Sequence, residues 1–414
     1  MKKLLALILA IATLLFCFAG CSNLDDGGQF STPTNDPNAA VNTAPNLKIG
    51  AIYINSKNDT AGYTFAHHNG ITTAMKALGM DVSKQLFIVD EVPEDKQQVL
   101  DAVDTLVGQG VNIIFGISFG YIDALEEAAQ EYPDVIFSHA TGYKSNSTNF
   151  NNYFGRAYQA RYLAGIAAGL KSLEIGNNNV GYVAAYGTEY AETASGINGF
   201  TLGVQSVNPN AKVYVKKLNA WADEVNESAF AKELIESYGC GVISQHCDSA
   251  QPQIAAQNAN VFGCGYNSDM TKDAPKAHLT AAIWNWDVYY KKAIEAARDC
   301  GEAAKFVSTM GSSAYYGGLK ENFVNVSPLS ANCAAGTQSA IDQVKDIIVK
   351  GEWDVFSGEK LTITVTDGKA TVTKEAVALK DNKGKVVVAA GGASVEDSVI
   401  TGTMNYYVAG VTEV

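Results

Sequence analysis

The stretch Leu47-Lys48-Ile49-Gly50-Ala51-Ile52-Tyr53-Ile54, with the segment Gly62 to Leu78 that follows it and stops at Gly79, decides the fold class. A short unbroken apolar run reads as a strand buried on both faces, and the helically spaced apolar residues behind it read as a covering helix. The same pair recurs along the chain. Leu86–Val89 precedes a helix from about Pro93 to Val107, Asn112–Ile117 precedes a helix over Asp123–Glu131, and Val135–Ser138 ends the series. After a helical stretch at Ala157–Leu173 the alternation restarts. Strands at Val180–Ala184, Lys212–Leu218, Gly241–Ser244 and Val261–Cys264 alternate with helices at Ala194–Val207, Ala229–Glu236 and Pro252–Asn258. This pattern predicts an α/β fold of two doubly wound parallel-sheet lobes joined by a hinge. Residues 47–155 would form the first lobe and 156–283 the second. Residues 284–414 would form a C-terminal region shared between the lobes, part of it returning to the first. Crossings between lobes are expected near Tyr153–Tyr158, near Asn267–Ile283 and after Met310.

The 414 residues are 47% hydrophobic and 18% charged, the make-up of a packed protein with room for two cores. A net charge of −13 argues against non-specific attraction to nucleic-acid phosphates. Lys2 and Lys3 precede an apolar core at Leu4–Phe18, too short and wrongly flanked for an ordinary spanning helix. The ensuing Ala19-Gly20-Cys21 resembles the cleavage box of a bacterial lipoprotein signal. Residues 1–20 are therefore read as signal, Cys21 as the lipidated residue and 21–46, rich in Pro, Asn, Asp and Gly, as a flexible tether. The expected place is extracytoplasmic, lipid-anchored to the bacterial cell membrane. Five cysteines remain, Cys240, Cys247, Cys264, Cys300 and Cys333, with no Cys-x-x-Cys pair. They read as mostly buried thiols with at most one or two disulfides, and neither a metal nor a cofactor is expected.

In sheets of this kind ligands bind outside the carboxyl ends of the strands, so the loops there are candidate contacts. They include Asn55 to His68, Ser118-Phe-Gly-Tyr121, His139 to Tyr143, Ala185 to Glu189, Asn219-Ala-Trp221, Gln245 to Asp248, Gly265 to Asp269 and Ile283 to Trp286. Aromatic and amide groups dominate and basic groups are few. Such a set suits a flat, neutral, hydrogen-bonding ligand better than a phosphate.

Gly62-Tyr-Thr-Phe-Ala-His67, Ser118-Phe-Gly-Tyr121, His139-Ala-Thr-Gly-Tyr143, the run from Asn152 to Gly165, Gly199-Phe-Thr-Leu-Gly203, Val207-Asn-Pro-Asn210 and Ser268-Asp-Met270 together resemble the basic membrane protein (BMP) family of lipoproteins. The resemblance covers the chain from about Leu47 to the last helices and returns at Met404–Val411. It implies a type I periplasmic-binding-protein fold and a substrate-binding role for an ABC importer, with permease and ATPase subunits as partners and a purine as ligand. It further implies stacking on the base by Tyr63 or Phe65, a loose match of Asn58-Asp59 to the family's acidic-amide pair, and a hydrogen bond from His67 to a purine edge. The family's ribose-binding Asp and Lys correspond here to Asn267 and Trp284. Loss of both favours a nucleobase such as adenine over a nucleoside.

The candidate ligand-binding residues are thus Asp59, Tyr63, Phe65, His67, Phe119, Tyr121, Trp221, Asp248, Asn267, Asp269 and Trp284. Plainer roles stand beside these. Trp221 and Trp284 could be core packing, Asp248 could cap the helix near Pro252, and Arg156 and Arg161 could pair with carboxylates across the lobes. His139, His246 and His278 read as structural. Among rival classes, a nucleoside-processing enzyme lacks its aspartate cluster, there is no Gly-x-Ser-x-Gly elbow and there is no phosphate-binding loop, so no enzyme activity is expected. A non-transport surface or signalling lipoprotein draws support only from Lys360–Thr373, which alternates apolar residues with Thr around Asp367-Gly368 and reads as an inserted hairpin.

Overall fold

The computed structural model describes residues 41–60 and 62–414, so the leader, Cys21 and the tether up to residue 40 lie outside the described residues. Strand β1 (Ile49–Tyr53) is buried along its whole length, as its apolar run requires. It pairs in parallel with β2 (Leu86–Val89) and β3 (Ile113–Ile117), and β4 (Ile136–Ala140) and β5 (Phe150–Gly155) extend the sheet. A second sheet is built from β6 (Asn179–Ala184), β7 (Lys212–Lys217), β8 (Val242–His246), β9 (Phe262–Asn267) and β10 (His278–Trp284). The chain then returns to the first sheet with β11 (Ala314–Gly317), parallel to β5, and to the second with β12 (Val324–Val326), antiparallel to β10. Beyond these come a hairpin, β13 (Glu359–Thr366) with β14 (Lys369–Ala376), a small pair, β15 (Leu379–Lys380) with β16 (Val386–Val388), and β17 (Val411–Glu413) on the edge at β7. The orders are β11-β5-β4-β3-β1-β2 and β12-β10-β9-β8-β6-β7-β17, two doubly wound lobes.

Three segments cross between the sheets: Arg156 after β5, Asn285 after β10, and the turn from Gly317 to Val324. The second lies past the expected 267–283, because that segment folds as the end of β9, a loop and β10 within the second lobe. Helix Trp286–Asp299 beyond it packs on helix Gly62–Ala77 of the first lobe. Their approach needs Gly70, where a Cβ would stand 2.5 Å from Trp286 Cβ.

The hairpin forms where its alternation and turn place it. Asp367 (φ 50°) and Gly368 (φ 73°) take the left-handed backbone of a tight hairpin turn. Its inner face is more than an ornament on one edge. Leu361 and Ile363 are buried in the main core, and the strands pack on helices Ala191–Val207 and Thr337–Val349. The five cysteines are free thiols, four of them buried, so none of the allowed disulfides forms. Among the described residues no helix is long and apolar enough to cross a membrane, and no group of three or more His, Cys, Asp or Glu is placed to hold a metal.

Candidate ligand-binding site

A cavity of about 350 Å³ lies between the lobes, at the small end of the roughly 300–1,000 Å³ of ligand pockets. Its wall is made almost wholly from strand ends and helix first turns. From the first lobe come Ile54 and Asn55 after β1, Ser118 and Phe119 after β3, Thr141 after β4 and Phe154 in β5. The second lobe supplies Tyr186 after β6, Asn219 to Ala222 after β7, Asp248 after β8, Tyr266 in β9 and Trp284 in β10. Tyr63 enters from the first turn of helix Gly62–Ala77, Glu192 from the first turn of helix Ala191–Val207, and Trp286 from the second crossing. Parallel strands aim their carboxyl ends and the following helix N-termini at one place, and this topology concentrates chemistry there.

Aromatic rings carry most of this surface. Trp284 stacks on Trp286 with ring centres 4.5 Å apart, and Trp286 stacks on His67 at 3.9 Å, so the wall rests on a column of parallel rings. On the other side Trp221 meets Tyr186 edge-on at 5.1 Å. Phe119 of the first lobe lies 6.4 Å from Tyr190 of the second, ring centre to ring centre, each residue 38% exposed. The lobes also touch at Gly62 (φ 81°), whose missing Cβ leaves room for the Asp248 carbonyl. Strained backbone clusters here. Thr141, a β-branched residue, sits at φ 63°, held by its N–H on Tyr153 O (2.9 Å), and Asn219 sits at φ 58°.

The polar groups are few and poorly partnered. Asn267 Nδ2 donates to Asp248 Oδ1 at 2.9 Å, and the Asp248 N–H donates to Trp221 O at 3.0 Å, which ties the loops after β7 and β8 together. Burial first, then the charges of Glu227 and Glu192, push the Asp248 carboxyl up to about 8, against the pull of the Asn267 hydrogen bond and of Arg161. Burial likewise lifts Glu192 to about 7. Tyr63 Oη and Trp286 Nε1 are buried without a hydrogen-bond partner. Among the described residues, neither Lys nor Arg lines the cavity.

Of the eleven candidate residues, the structure brings Tyr63, Phe119, Trp221, Asp248 and Trp284 into the wall. Asn267 stands one step behind, its amide spent on Asp248. The other five lie elsewhere. His67 is fully buried, its Nδ1 2.6 Å from Tyr290 Oη, and it supports Trp286 from behind. Tyr121 is buried with its hydroxyl donating to Val92 O at 2.5 Å. Phe65 is half-buried on the same helix as Tyr63, Asp59 is half-buried on the loop after β1, and Asp269 accepts from the Thr271 N–H at 2.9 Å.

The plainer roles resolve differently for each group. Asp248 caps no helix: the helix at Gln251–Asn258 follows Ala250 and has no side-chain cap. Arg156 does pair with a carboxylate, Asp397, but Arg161 does not. Its Nη1 donates to Tyr182 Oη (2.8 Å) and Gln245 O (2.7 Å). Glu192 was not a candidate, because an expected helix start at Ala194 leaves it in a loop past the strand end. The observed start at Ala191 puts it in the first turn. Phe154 escaped because β5, interrupted by Asn151 and Asn152, has no strand-like apolar run.

Comparison with known proteins agrees with this geometry. The family model Bmp, described as ABC transporter substrate-binding protein PnrA-like, matches residues 47–352. A purine-binding protein of Brucella abortus is 31% identical over 374 residues, 90% of this chain and 95% of its own. A Haloferax volcanii protein, named as a candidate ABC transporter glucose-binding protein, is 34% identical over 267 residues, 64% of this chain. The match spans 63% of that relative's length. Among solved structures, a solute-binding protein of an ABC transporter system from Conexibacter woesei superposes with TM-score 0.59 at 19% identity, covering 74% of this chain and 98% of that one. One from Aeropyrum pernix gives 0.59 at 15% identity, covering 78% and 94%, a likeness of fold.

Proposed function

This chain belongs to the Bmp family of PnrA-like ABC transporter substrate-binding proteins, and from that premise we propose that it captures a purine base, adenine above others, in the interlobe cavity. The family binds solutes rather than transforming them, so the work of the site is selection and release. The observation that carries the reading is the small aromatic cavity with the Asp248 carboxyl in its wall and no basic side chain. Flat rings can stack on Trp221, Trp284, Tyr63 or Phe119, while a carboxyl reads the N–H and ring-nitrogen edge. The relative from Brucella abortus, named for purine binding and matched over nearly its whole length, supports the same class.

Base over nucleoside rests on the two positions that correspond to the family's ribose anchors. Asn267 is committed to Asp248 and Trp284 is an apolar plate, so neither offers a charged partner to ribose hydroxyls. Capture works by hinge closure, the lobes meeting at Gly62 and Asp248 and at Phe119 and Tyr190. Transport requires a separate permease and ATPase, and the sequence of the leader with Cys21 supports a lipid anchor that would hold the protein on the outer face of a bacterial membrane. Calorimetry on chain freed of carried-over ligand, against adenine, adenosine, guanine and glucose, tests this. Tight adenine binding with adenosine weaker by about tenfold or more is expected for a site lacking ribose partners. Tight adenosine binding would remove the base preference, and glucose binding without purine binding would replace the ligand class.

A further inference from the structure

Behind Tyr266 the second lobe holds a polar patch that the fold leaves incomplete. Arg161, 1% exposed, spends Nη1 on Tyr182 and Gln245, while its Nε and Nη2 have no partner among the described residues. The guanidinium lies against the Tyr266 ring, 3.9 Å from its centre, and Tyr266 also lines the cavity. His246, also 1% exposed, has both ring nitrogens unpartnered. Burial, then the Arg161 charge, hold this imidazole well below its ordinary pKa, so it is neutral.

Glu192 is the member of this patch that reaches the cavity. Its Oε1 lies 3.6 Å from His246 Nε2, too long for a hydrogen bond, and 22% of its side chain stays accessible. A carboxyl placed in a helix first turn is normally eased by the helix dipole, and here it faces a neutral histidine and a buried arginine whose charge no carboxylate pairs directly. A fold that needed only stability would fill such a position with an apolar residue. Spare hydrogen-bonding capacity on a cavity wall is what a ligand completes.

We infer that Glu192 is a second ligand-contacting carboxyl: Asp248 reads one polar edge of the heterocycle and Glu192, on the same lobe, reads another. The substrate class follows from this pair. It is a flat ring system with hydrogen-bonding nitrogens on two separate edges, as in a purine, and the inference rests on the purine reading above.

Calorimetry compares the wild-type chain with Glu192→Ala and Glu192→Gln against adenine and 9-methyladenine, with melting curves to show that each variant is folded. Loss of this contact leaves a polar group of the ligand without its partner and should weaken adenine binding by about tenfold or more in Glu192→Ala, with Glu192→Gln retaining part of it through its carbonyl oxygen. If Glu192 reads the N9 edge, the wild-type preference for adenine over its 9-methyl derivative shrinks in Glu192→Ala. If it reads the other edge, that preference persists while both affinities fall. Either pattern supports the assignment. Adenine affinity of Glu192→Ala within about twofold of wild type would overturn it while leaving the purine reading intact. Absence of purine binding by the wild-type chain would overturn both.

Discussion

Asp248 holds the loops after β7 and β8 together through its N–H, touches Gly62 of the other lobe through its carbonyl, and presents a carboxyl to the cavity. Its side chain can be removed without disturbing the two backbone contacts. Asp248→Ala should therefore weaken adenine binding by roughly ten- to a hundredfold, the cost of leaving a buried polar group of the ligand without its partner, while circular dichroism stays unchanged. Unchanged affinity would take the residue out of the site. The same carboxyl makes stability depend on pH. The folded chain keeps the proton up to about pH 8, whereas an ordinary aspartate releases it near 3.8. Between those values the folded state binds more protons than the unfolded one, so stability falls as pH rises. The groups facing Asp248 are Glu227, Glu192, Asn267 and Arg161, and Glu192 adds a shift of the same sign. The melting temperature of ligand-free protein should thus decline through this interval, and Asp248→Asn should flatten the decline. A flat wild-type profile would contradict the burial argument.

The site is assembled by elements more than by motifs, which explains what was legible. β1 and β3 announce themselves as unbroken apolar runs because both their faces are covered, and the carboxyl end of β3 delivered Phe119, as those of β7 and β8 delivered Trp221 and Asp248. β5 did not. Its Asn151 and Asn152 are buried polar residues, Asn151 Nδ2 donating to Tyr289 Oη at 2.8 Å, and such satisfaction across the chain leaves no local signal. His67 shows the opposite failure. It lies in a helix whose first turn faces the cavity, yet helical spacing turns it inward onto Trp286 and Tyr290. Gly62→Ala adds a Cβ at positive φ and against the Asp248 carbonyl, so the lobes cannot meet as they do here. Ligand affinity should drop by about tenfold or more, with scattering profiles in excess adenine more extended than those of wild type. Equal compaction in both proteins would show that this contact does not limit closure.

The molecule as a whole departs from a bare two-lobe receptor at its C-terminal end, residues 353–414, which lie beyond the matched family region. This extension reaches the hinge. Arg156, the first crossing residue, donates from Nη1 to Tyr316 O of β11 (3.0 Å) and from Nε to Asp397 Oδ1 (3.0 Å), while Tyr158 Oη donates to Asp354 Oδ2 (2.9 Å). None of these partners is near Arg156 in sequence, so the sequence could offer only that Arg156 pairs with some carboxylate. A partly exposed pair of this kind adds about 1 kcal/mol or less to stability. Asp397→Asn should accordingly leave the melting temperature nearly unchanged yet speed amide exchange around Arg156 and Tyr316, since the guanidinium loses one of its two anchors. Exchange rates equal to wild type would mean that the extension does not stiffen the hinge.

What occupies the interlobe cavity is read most directly from a crystal structure of the chain, stripped of carried-over ligand and grown with adenine. The base should lie flat against Trp221, Trp284, Tyr63 or Phe119, with the Asp248 carboxyl within hydrogen-bonding distance of a ring-edge nitrogen. Adenine absent from the cavity at saturating concentration, or bound there with Asp248 turned away, would contradict it.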